Sequence, residues 1–270
     1  MRLGVTMFAT DQTMSVVELA RAAEERGFHS LYLPEHTHIP VSRRTPYPVT
    51  GGELPEEYRR TLDPLVALSF AAAVTERLVV GTGILLAAQR DPLVTGKAIA
   101  TLDHVTGGGR VVIGVGFGWN VEEIENHGVP YRERRDVARA NVLAMRELWR
   151  EEVAGFDGIE PSWSWPKPVS EPPVYLGGAA GPKLFAHVAE YADGWMPIGG
   201  KGIKAALPAL REACEKAERP MAKVMPFGTL PTREKLDYYA GLGIEETVVS
   251  LPNAPADEVL PVLDRYAQLV

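Results

Sequence analysis

The sequence contains few of the features that mark secreted, nucleic-acid-binding or membrane-spanning proteins. Cys214 is the only cysteine in 270 residues, so neither a disulfide within the chain nor a thiolate metal cluster can form. Lysine and arginine total 28 against 35 acidic residues, a net charge of −7, whereas a nucleic-acid-binding domain is expected to be basic. No segment approaches the roughly 20 apolar residues of a membrane span, and the first residues, MRLGVTMFATDQ, do not form a secretory signal. We therefore expect a cytoplasmic protein that binds neither nucleic acid nor membrane.

Short apolar runs alternate along the chain with segments of helical periodicity. The apolar runs predict eight strands, at residues 3–8, 30–34, 78–86, 110–116, 174–177, 194–197, 223–228 and 246–251. The helical segments lie at residues 15–27, 63–75, 92–105, 133–149, 182–191, 204–218, 233–242 and 257–269. The first of these ranges includes the expected capping residues, Ser15 and Gly27. Such alternation favours a parallel sheet with right-handed crossovers. Eight units in a chain of 270 residues predict an α/β fold of the (β/α)8 TIM-barrel type.

A doubly wound sheet is the main alternative to the barrel. Its usual fingerprint is a glycine-rich turn directly after the first strand, and this chain has MFATDQ there instead. The barrel is therefore favoured, and we expect a single domain over residues 1–270. The long polar stretch at residues 35–60 interrupts the alternation and is expected to form a lid over the mouth of the barrel.

The active site of such a barrel lies at the carboxyl ends of its strands, which directs attention to Glu35 and His36 after the second strand. A carboxylate beside an imidazole can tune a proton donor near neutral pH, although an ordinary loop pair is an equally good reading. His36 and His38 also form an HxH pattern. A metal site would need further ligands from other strand ends, and the later strands offer none, so no metal site is expected.

Two glycine-containing segments are candidates for ligand contact. Gly177, Gly178, Ala179 and Ala180 form an open turn before the helix that begins at Pro182, where backbone N–H groups can hold an anion. The third strand, LVVGTGILL, carries two glycines, which often mark a bulge or a close approach of ligand to backbone. In both segments, glycines that serve packing alone remain an alternative.

Together these segments resemble the bacterial luciferase-like flavin and deazaflavin oxidoreductases. The resemblance covers most of the chain and is carried, in order, by SLYLPEH, LVVGTGILL, GGGRVVIGVGFGWN, VYLGGAAG and ADGW. PEHTHIP together with GVGFGWN most resembles the subgroup of F420-dependent oxidoreductases.

The resemblance implies roles for individual residues. It places a strand bulge, often with a non-prolyl cis peptide, at Gly83–Ile84, where it would back the central ring of the cofactor. Asn120 would contact the pyrimidine end, and the turn 177–180 would hold the cofactor phosphate. His36 matches a histidine beside the ring that acts as proton donor or transition-state stabiliser, and Glu35 matches its acidic neighbour.

The expected substrate is a small organic molecule of apolar or aromatic character. Phe8, Phe117, Trp119 and Met196 would lie at the barrel mouth, and Phe8 is also expected to contact the cofactor. Some sugar-phosphate dehydrogenases of this family have a glutamate where this chain has Phe117, and no evident set of basic residues for a substrate phosphate is present. This departure argues against a sugar phosphate.

The expected function is transfer of a hydride between coenzyme F420 and such a substrate. One alternative is an FMN-dependent monooxygenase supplied with reduced flavin by a separate reductase. A non-catalytic flavin-binding protein and a metal hydrolase are further alternatives. Relatives are commonly homodimers, so a homodimer is expected.

Overall fold

The structure is a computed structural model that describes residues 1–156 and 158–270. Its strands are β1 (Arg2–Thr6), β2 (Ser30–Leu33), β3 (Val79–Leu85), β4 (Val111–Val115), β5 (Ala154–Phe156), β6 (Ile159–Ser162), β7 (Val174–Gly177), β8 (Gly194–Met196), β9 (Lys223–Val224), β10 (Phe227–Thr229) and β11 (Glu246–Ser250). Its helices are α1 (Val16–Glu25), α2 (Pro64–Ala73), α3 (Pro92–Val105), α4 (Val121–Asn126), α5 (Arg134–Arg150), α6 (Pro182–Tyr191), α7 (Ile203–Lys216), α8 (Arg233–Gly241) and α9 (Ala256–Ala267). No helix in this part of the chain is long and apolar enough to cross a membrane.

Nine strands form one curled parallel sheet with helices in the connections. The strand order is β10-β11-β1-β2-β3-β4-β7-β8-β9, and every pair in it is parallel. The two end strands, β9 and β10, are separated in the chain only by Met225 and Pro226. The N–H of Met225 donates to the Trp195 carbonyl, and the N–H of Val248 donates to the Pro226 carbonyl. Backbone hydrogen bonds therefore continue across the short segment between these two strands.

The observed elements follow the predicted alternation with three differences. The predicted seventh strand is divided into β9 and β10, because Pro226 has no N–H and interrupts the ladder. Helix α4 lies in a segment expected to be loop, and β5 and β6 form an antiparallel hairpin that was not predicted. These elements have three to six residues, which is too short for a hydrophobic period to be recognised.

Aspartate–proline pairs begin the two helices that precede and follow β3. The Asp63 carboxylate accepts a hydrogen bond from the Val66 N–H at 3.0 Å, and the Asp91 carboxylate accepts one from the Val94 N–H at 2.9 Å. Each aspartate is followed by a proline at the first helical position, where no N–H is needed. The sequence thus defines where α2 and α3 begin.

Large side chains fill the inner face of the curled sheet, and glycines on neighbouring strands make room for them. The inner cluster contains Tyr32, Met196, Met225 and Val248, with partly buried side chains packed against it. A Cβ at Gly81 would overlap the Tyr32 ring, and a Cβ at Gly114 would overlap the carbonyl oxygen of Thr82. The outer face packs against the helices through a second, larger core.

We predict that Gly114→Ala lowers the free energy of unfolding by about 1–3 kcal/mol, because the added methyl group overlaps backbone that cannot move independently. Gly241→Ala is the matched control, since among the described residues no heavy atom outside the adjoining backbone of α8 lies within 4 Å of its Cβ position. The control should be neutral or slightly stabilising. Urea denaturation of both variants measures the difference, and equal midpoints would contradict the packing argument.

Candidate active site

A cavity of about 530 Å³ opens at the carboxyl ends of the parallel strands. Seven of the ten predicted site residues line it: Phe8, Glu35, His36, Gly83, Ile84, Gly177 and Gly178. Asn120, Ala179 and Ala180 lie outside its lining. Apolar side chains dominate the remaining wall, as expected for a cavity that holds an organic ligand.

A larger groove of about 820 Å³ lies between α6 and α7, on the helical side of the fold. Half of its lining residues are alanines. Its charged members are paired: Lys216 with Glu212, Glu190 with Arg139, and Arg219 with Asp193. The cavity at the strand ends is therefore the better candidate, because it has polar groups free to meet a ligand.

The end of β3 contains the bulge that was expected at Gly83–Ile84. Pairing between β3 and β4 shifts register between Thr82 and Leu85, and the Gly83–Ile84 peptide is cis. The Ile84 side chain packs against Gly116, where a Cβ would overlap it. The bulge therefore presents a peptide and an aliphatic side chain to the cavity.

Glu35 and His36 are adjacent in the sequence, but their side chains do not bond to each other. The Glu35 carboxylate accepts hydrogen bonds from the Leu86 N–H and the Arg90 guanidinium, both at 2.6 Å, and the side chain is 1% exposed. Burial raises the pKa of Glu35, with Arg90 and the Leu86 N–H acting in the opposite direction.

His36 has a different carboxylate partner, Glu123 of α4. The Nδ1 atom of His36 lies 2.7 Å from Oε2 of Glu123, and the side chains are 8% and 1% exposed. The other carboxylate oxygen, Oε1, is buried and has no hydrogen-bond partner in the described part of the chain. Sequence analysis missed Glu123, because residue spacing does not distinguish it from its neighbour Glu122.

Aromatic rings cover the cavity beside His36. The Tyr58 ring centroid lies 4.8 Å from that of Phe8 and 5.1 Å from that of His36, and Trp119 and Tyr47 also pack against it. Burial raises the pKa of Tyr58, and its hydroxyl hydrogen bond to Tyr47 adds to this, so the hydroxyl stays protonated. The segment 35–60 thus contributes an apolar wall.

Helix α4 is hydrogen-bonded to the same segment. Its Glu122 carboxylate accepts bonds from the Thr45 hydroxyl at 2.6 Å and the Arg44 N–H at 2.8 Å. The Thr45 bond lowers the pKa of Glu122 to about 2, with the backbone N–H donors adding to the effect. At the other end of α4, the His127 ring bonds the Thr37 hydroxyl at 2.8 Å.

His38 takes part in the contact with α4. Its two ring nitrogens bond the Thr37 hydroxyl and the Asn126 side chain, at 2.9 and 3.0 Å. Across residues 1–156 and 158–270, no three His, Cys, Asp or Glu side chains are grouped so as to hold a metal ion.

Asn120, directly before α4, is 1% exposed, and neither polar atom of its side chain has a partner among the described residues. A buried carboxamide without partners is costly unless a ligand or water satisfies it. The structure therefore places an unsatisfied donor and an unsatisfied acceptor beside the turn that follows β4.

The turn after β7 supplies backbone N–H groups suited to an anion. Gly177 and Gly178 line the cavity, Ala179 and Ala180 are exposed, and α6 begins without a side-chain cap.

Sequence analysis also missed Arg134 and Arg135, which line the cavity and form no ion pair with a carboxylate of residues 1–156 or 158–270. The Arg135 guanidinium lies 4.3 Å above the Phe117 ring, and its Nη1 is buried without a partner in that same part of the chain. Burial lowers the pKa of Arg135, and the neighbouring Arg134 charge acts in the same direction.

Comparison with known proteins confirms the resemblance drawn from the sequence. The chain is 40% identical over 276 residues to an uncharacterised protein of Mycobacterium tuberculosis (strain ATCC 25618 / H37Rv), covering 99% of this chain and 98% of that protein. It is 31% identical over 216 residues to an F420-dependent glucose-6-phosphate dehydrogenase of Nakamurella multipartita, covering 76% of this chain and 59% of that protein.

Two solved structures share the fold over 100% of this chain and 98% of theirs. One is an F420-dependent secondary alcohol dehydrogenase in complex with an F420–acetone adduct, with a TM-score of 0.78 and 18% identity. The other is the monooxygenase RslO1 from Streptomyces bottropensis, with a TM-score of 0.78 and 19% identity. The sequence model of the luciferase-like monooxygenase family matches residues 2–235. The chain therefore belongs to the luciferase-like monooxygenase family of oxidoreductases.

Proposed function

We propose that the protein is an F420-dependent oxidoreductase, which moves a hydride between the deazaflavin cofactor and a small apolar or aromatic organic substrate. The cavity at the strand ends carries the proposal, because it combines the Gly83–Ile84 bulge, the His36 imidazole and two arginines without acidic partners among the described residues. Family membership and the F420-dependent relative support the choice of cofactor.

Residues at and beside the cavity fit a deazaflavin at three places, with Asn120, Ala179 and Ala180 outside the lining itself. The bulge and Phe8 offer apolar surface to a planar ring. The Asn120 carboxamide has one free donor and one free acceptor, which match the alternating carbonyl and N–H groups of a pyrimidine edge. The N–H groups of the turn 177–180 and the Arg135 guanidinium would hold the phosphate. When bound, the cofactor supplies the hydride chemistry, and the protein binds, orients and shields it.

Titration with F420 and with FMN, followed by ligand fluorescence, tests this assignment. We expect F420 to bind at micromolar concentration or tighter and FMN to bind at least about tenfold more weakly. Arg135→Met should weaken F420 binding about tenfold to 100-fold, because a charge-assisted hydrogen bond is lost. Arg132→Met, an exposed change in the same segment, is the control.

The arginine effect should vanish with 8-hydroxy-5-deazariboflavin, which has the same ring and no phosphate. Preferential binding of FMN would favour an FMN-dependent monooxygenase instead. Binding of neither cofactor would refute both assignments.

The second candidate is an FMN-dependent monooxygenase that receives reduced flavin from a separate reductase. The structural likeness to the monooxygenase RslO1 favours it. F420 and FMN each carry a phosphate and a planar ring, so the same residues would hold either cofactor.

His36 is the residue proposed to move a proton to or from the substrate. Its ring lines the cavity, and Glu123 occupies Nδ1, which leaves Nε2 for the reacting molecule. The segment 35–60 would act as a lid, with Tyr58 and Trp119 excluding water from this side.

We predict that His36→Ala lowers turnover by about 10²- to 10⁴-fold, because the proton transfer loses its positioned group. Cofactor affinity should stay within a few-fold, since the groups assigned to the ring edge and phosphate are untouched. Steady-state kinetics and fluorescence titration measure the two quantities. His104→Ala, on the exposed end of α3, serves as the control. Unchanged turnover in His36→Ala would refute the proton-transfer role.

The whole chain is proposed to form one domain, an eightfold barrel whose seventh strand comprises β9 and β10. The hydrogen bonds of Met225 and Pro226 to their neighbours support this description, since they continue the ladder between β8 and β11. In this description, Pro226 divides the seventh strand into β9 and β10, and the ring of strands stays closed.

A homodimer through α2 and α3 is also proposed. Helix α2 is apolar on every side, which is unusual for a surface helix, and Val66 and Phe70 are 60% and 61% exposed. Val94 and Val105 on α3 are 70% and 71% exposed. In a twofold dimer, a surface patch packs against the same patch of the second copy. Apolar side chains can pack against each other in this way, whereas like charges would repel.

We predict that Phe70→Glu converts the dimer to a folded monomer, because the proposed interface would have to bury a charged carboxylate in place of an exposed aromatic ring. Light scattering after size exclusion measures the mass. Tyr238→Glu, an exposed aromatic on α8, is the control and should leave the dimer intact. A monomeric wild-type protein would contradict this assignment.

A further inference from the structure

We propose that Glu123 is the positioning residue of His36: it holds the imidazole as the Nδ1–H tautomer and leaves the lone pair on Nε2 for the cavity. The inference rests on the proposed function, in which His36 exchanges a proton with the substrate. Its basis is the 2.7 Å contact between His36 Nδ1 and Glu123 Oε2, formed by two side chains that are almost fully buried.

A carboxylate only accepts hydrogen bonds, so the ring nitrogen that contacts it must carry the proton. Nε2 of His36 has no hydrogen-bond partner among residues 1–156 and 158–270, and the ring lines the cavity. When Nε2 takes a proton from the substrate, the ring becomes a cation whose Nδ1–H still points at Glu123. When Nε2 returns that proton, the ring becomes neutral again in the same tautomer.

The two buried glutamates of the site differ in how completely they are bonded. Glu35 has partners on both carboxylate oxygens, namely the Leu86 N–H and the Arg90 guanidinium, as expected of a residue that supports the fold. Glu123 has a partner on Oε2 alone, and its buried Oε1 has none in the described chain. Stability alone does not account for a half-bonded buried carboxylate, because an unsatisfied oxygen is costly.

The surroundings of Glu123 keep the pair in place from both sides. His36 belongs to the segment 35–60, whose Thr45 is bonded to Glu122, the neighbour of Glu123 on α4. Thr37, the next residue after His36, bonds His127 at the other end of the helix. The carboxylate and the imidazole therefore belong to two segments already joined by other hydrogen bonds, so the pair adds orientation rather than a new connection.

Nitrogen-15 NMR of the histidine rings tests the tautomer in the free protein, without cofactor or turnover. His36→Ala identifies the His36 signal among the six histidines. We expect the wild-type protein to show the Nδ1–H tautomer alone, and Glu123→Gln to show a mixture or the Nε2–H tautomer. Glu125→Gln removes the same charge from an exposed position of α4 and should leave the signal unchanged. An unaltered His36 tautomer in Glu123→Gln would overturn the proposal.

Kinetics provide the second measurement. Glu123→Gln should lower kcat by about 10²-fold or more with KM within about threefold, because only the orientation of the proton-transferring ring is lost. Glu123→Asp should recover part of the rate, whereas a residue needed only for packing would not be rescued by a shorter carboxylate. A wild-type kcat in Glu123→Gln would also overturn the proposal. A wild-type protein inactive with F420 would refute the proposed function, and the NMR result would still decide the role of Glu123.

Discussion

The buried ion pair between Glu35 and Arg90 joins three segments on which the candidate site depends. Glu35 follows β2, Arg90 follows β3, and Arg90 also contacts Asp63, the N-cap of α2. Burial disfavours the charged guanidinium, but the two carboxylates outweigh it and raise the pKa of Arg90. Removing one partner of such a pair costs about 3–5 kcal/mol, although an apolar pair of similar volume is often equally stable. The value of this pair is therefore positional: it ties the β3 bulge to the end of β2.

The residue after Glu35 has a different environment. Glu35 is bonded to Arg90, whereas the His36 ring meets Glu123 of α4. Both residues of the EH dipeptide line the cavity, but Glu35 is bonded to Arg90 and the Leu86 N–H, whereas His36 has Glu123 as its own carboxylate partner. Adjacent positions in a sequence carry no information about a shared hydrogen bond, so the sequence alone could not show that Glu35 and His36 have different partners.

The predictable part of the structure is what local patterns encode. Periodicity located the parallel strands and the longer helices, and LVVGTGILL marked the bulge. The missed parts depend on distant residues: Glu123 lies 87 positions from His36, and Arg135 is significant only because its guanidinium lies over Phe117. Strand ends meet at one edge of the sheet, so the location of the site could be predicted, but the pairing of its side chains could not.

The charges around the cavity limit what can select its ligand. Glu35 is neutralised by Arg90 and Glu123 faces His36, whereas Arg134 and Arg135 have no acidic partner in the described residues, although the chain carries a net charge of −7. A ligand with one anionic end and one planar apolar end suits this arrangement. F420 and FMN share both properties, so the arginines and the turn 177–180 would hold either cofactor. The pyrimidine edge proposed to meet Asn120 is the same in both cofactors, so discrimination must come from the parts in which they differ, among them the central ring proposed to lie against Gly83–Ile84.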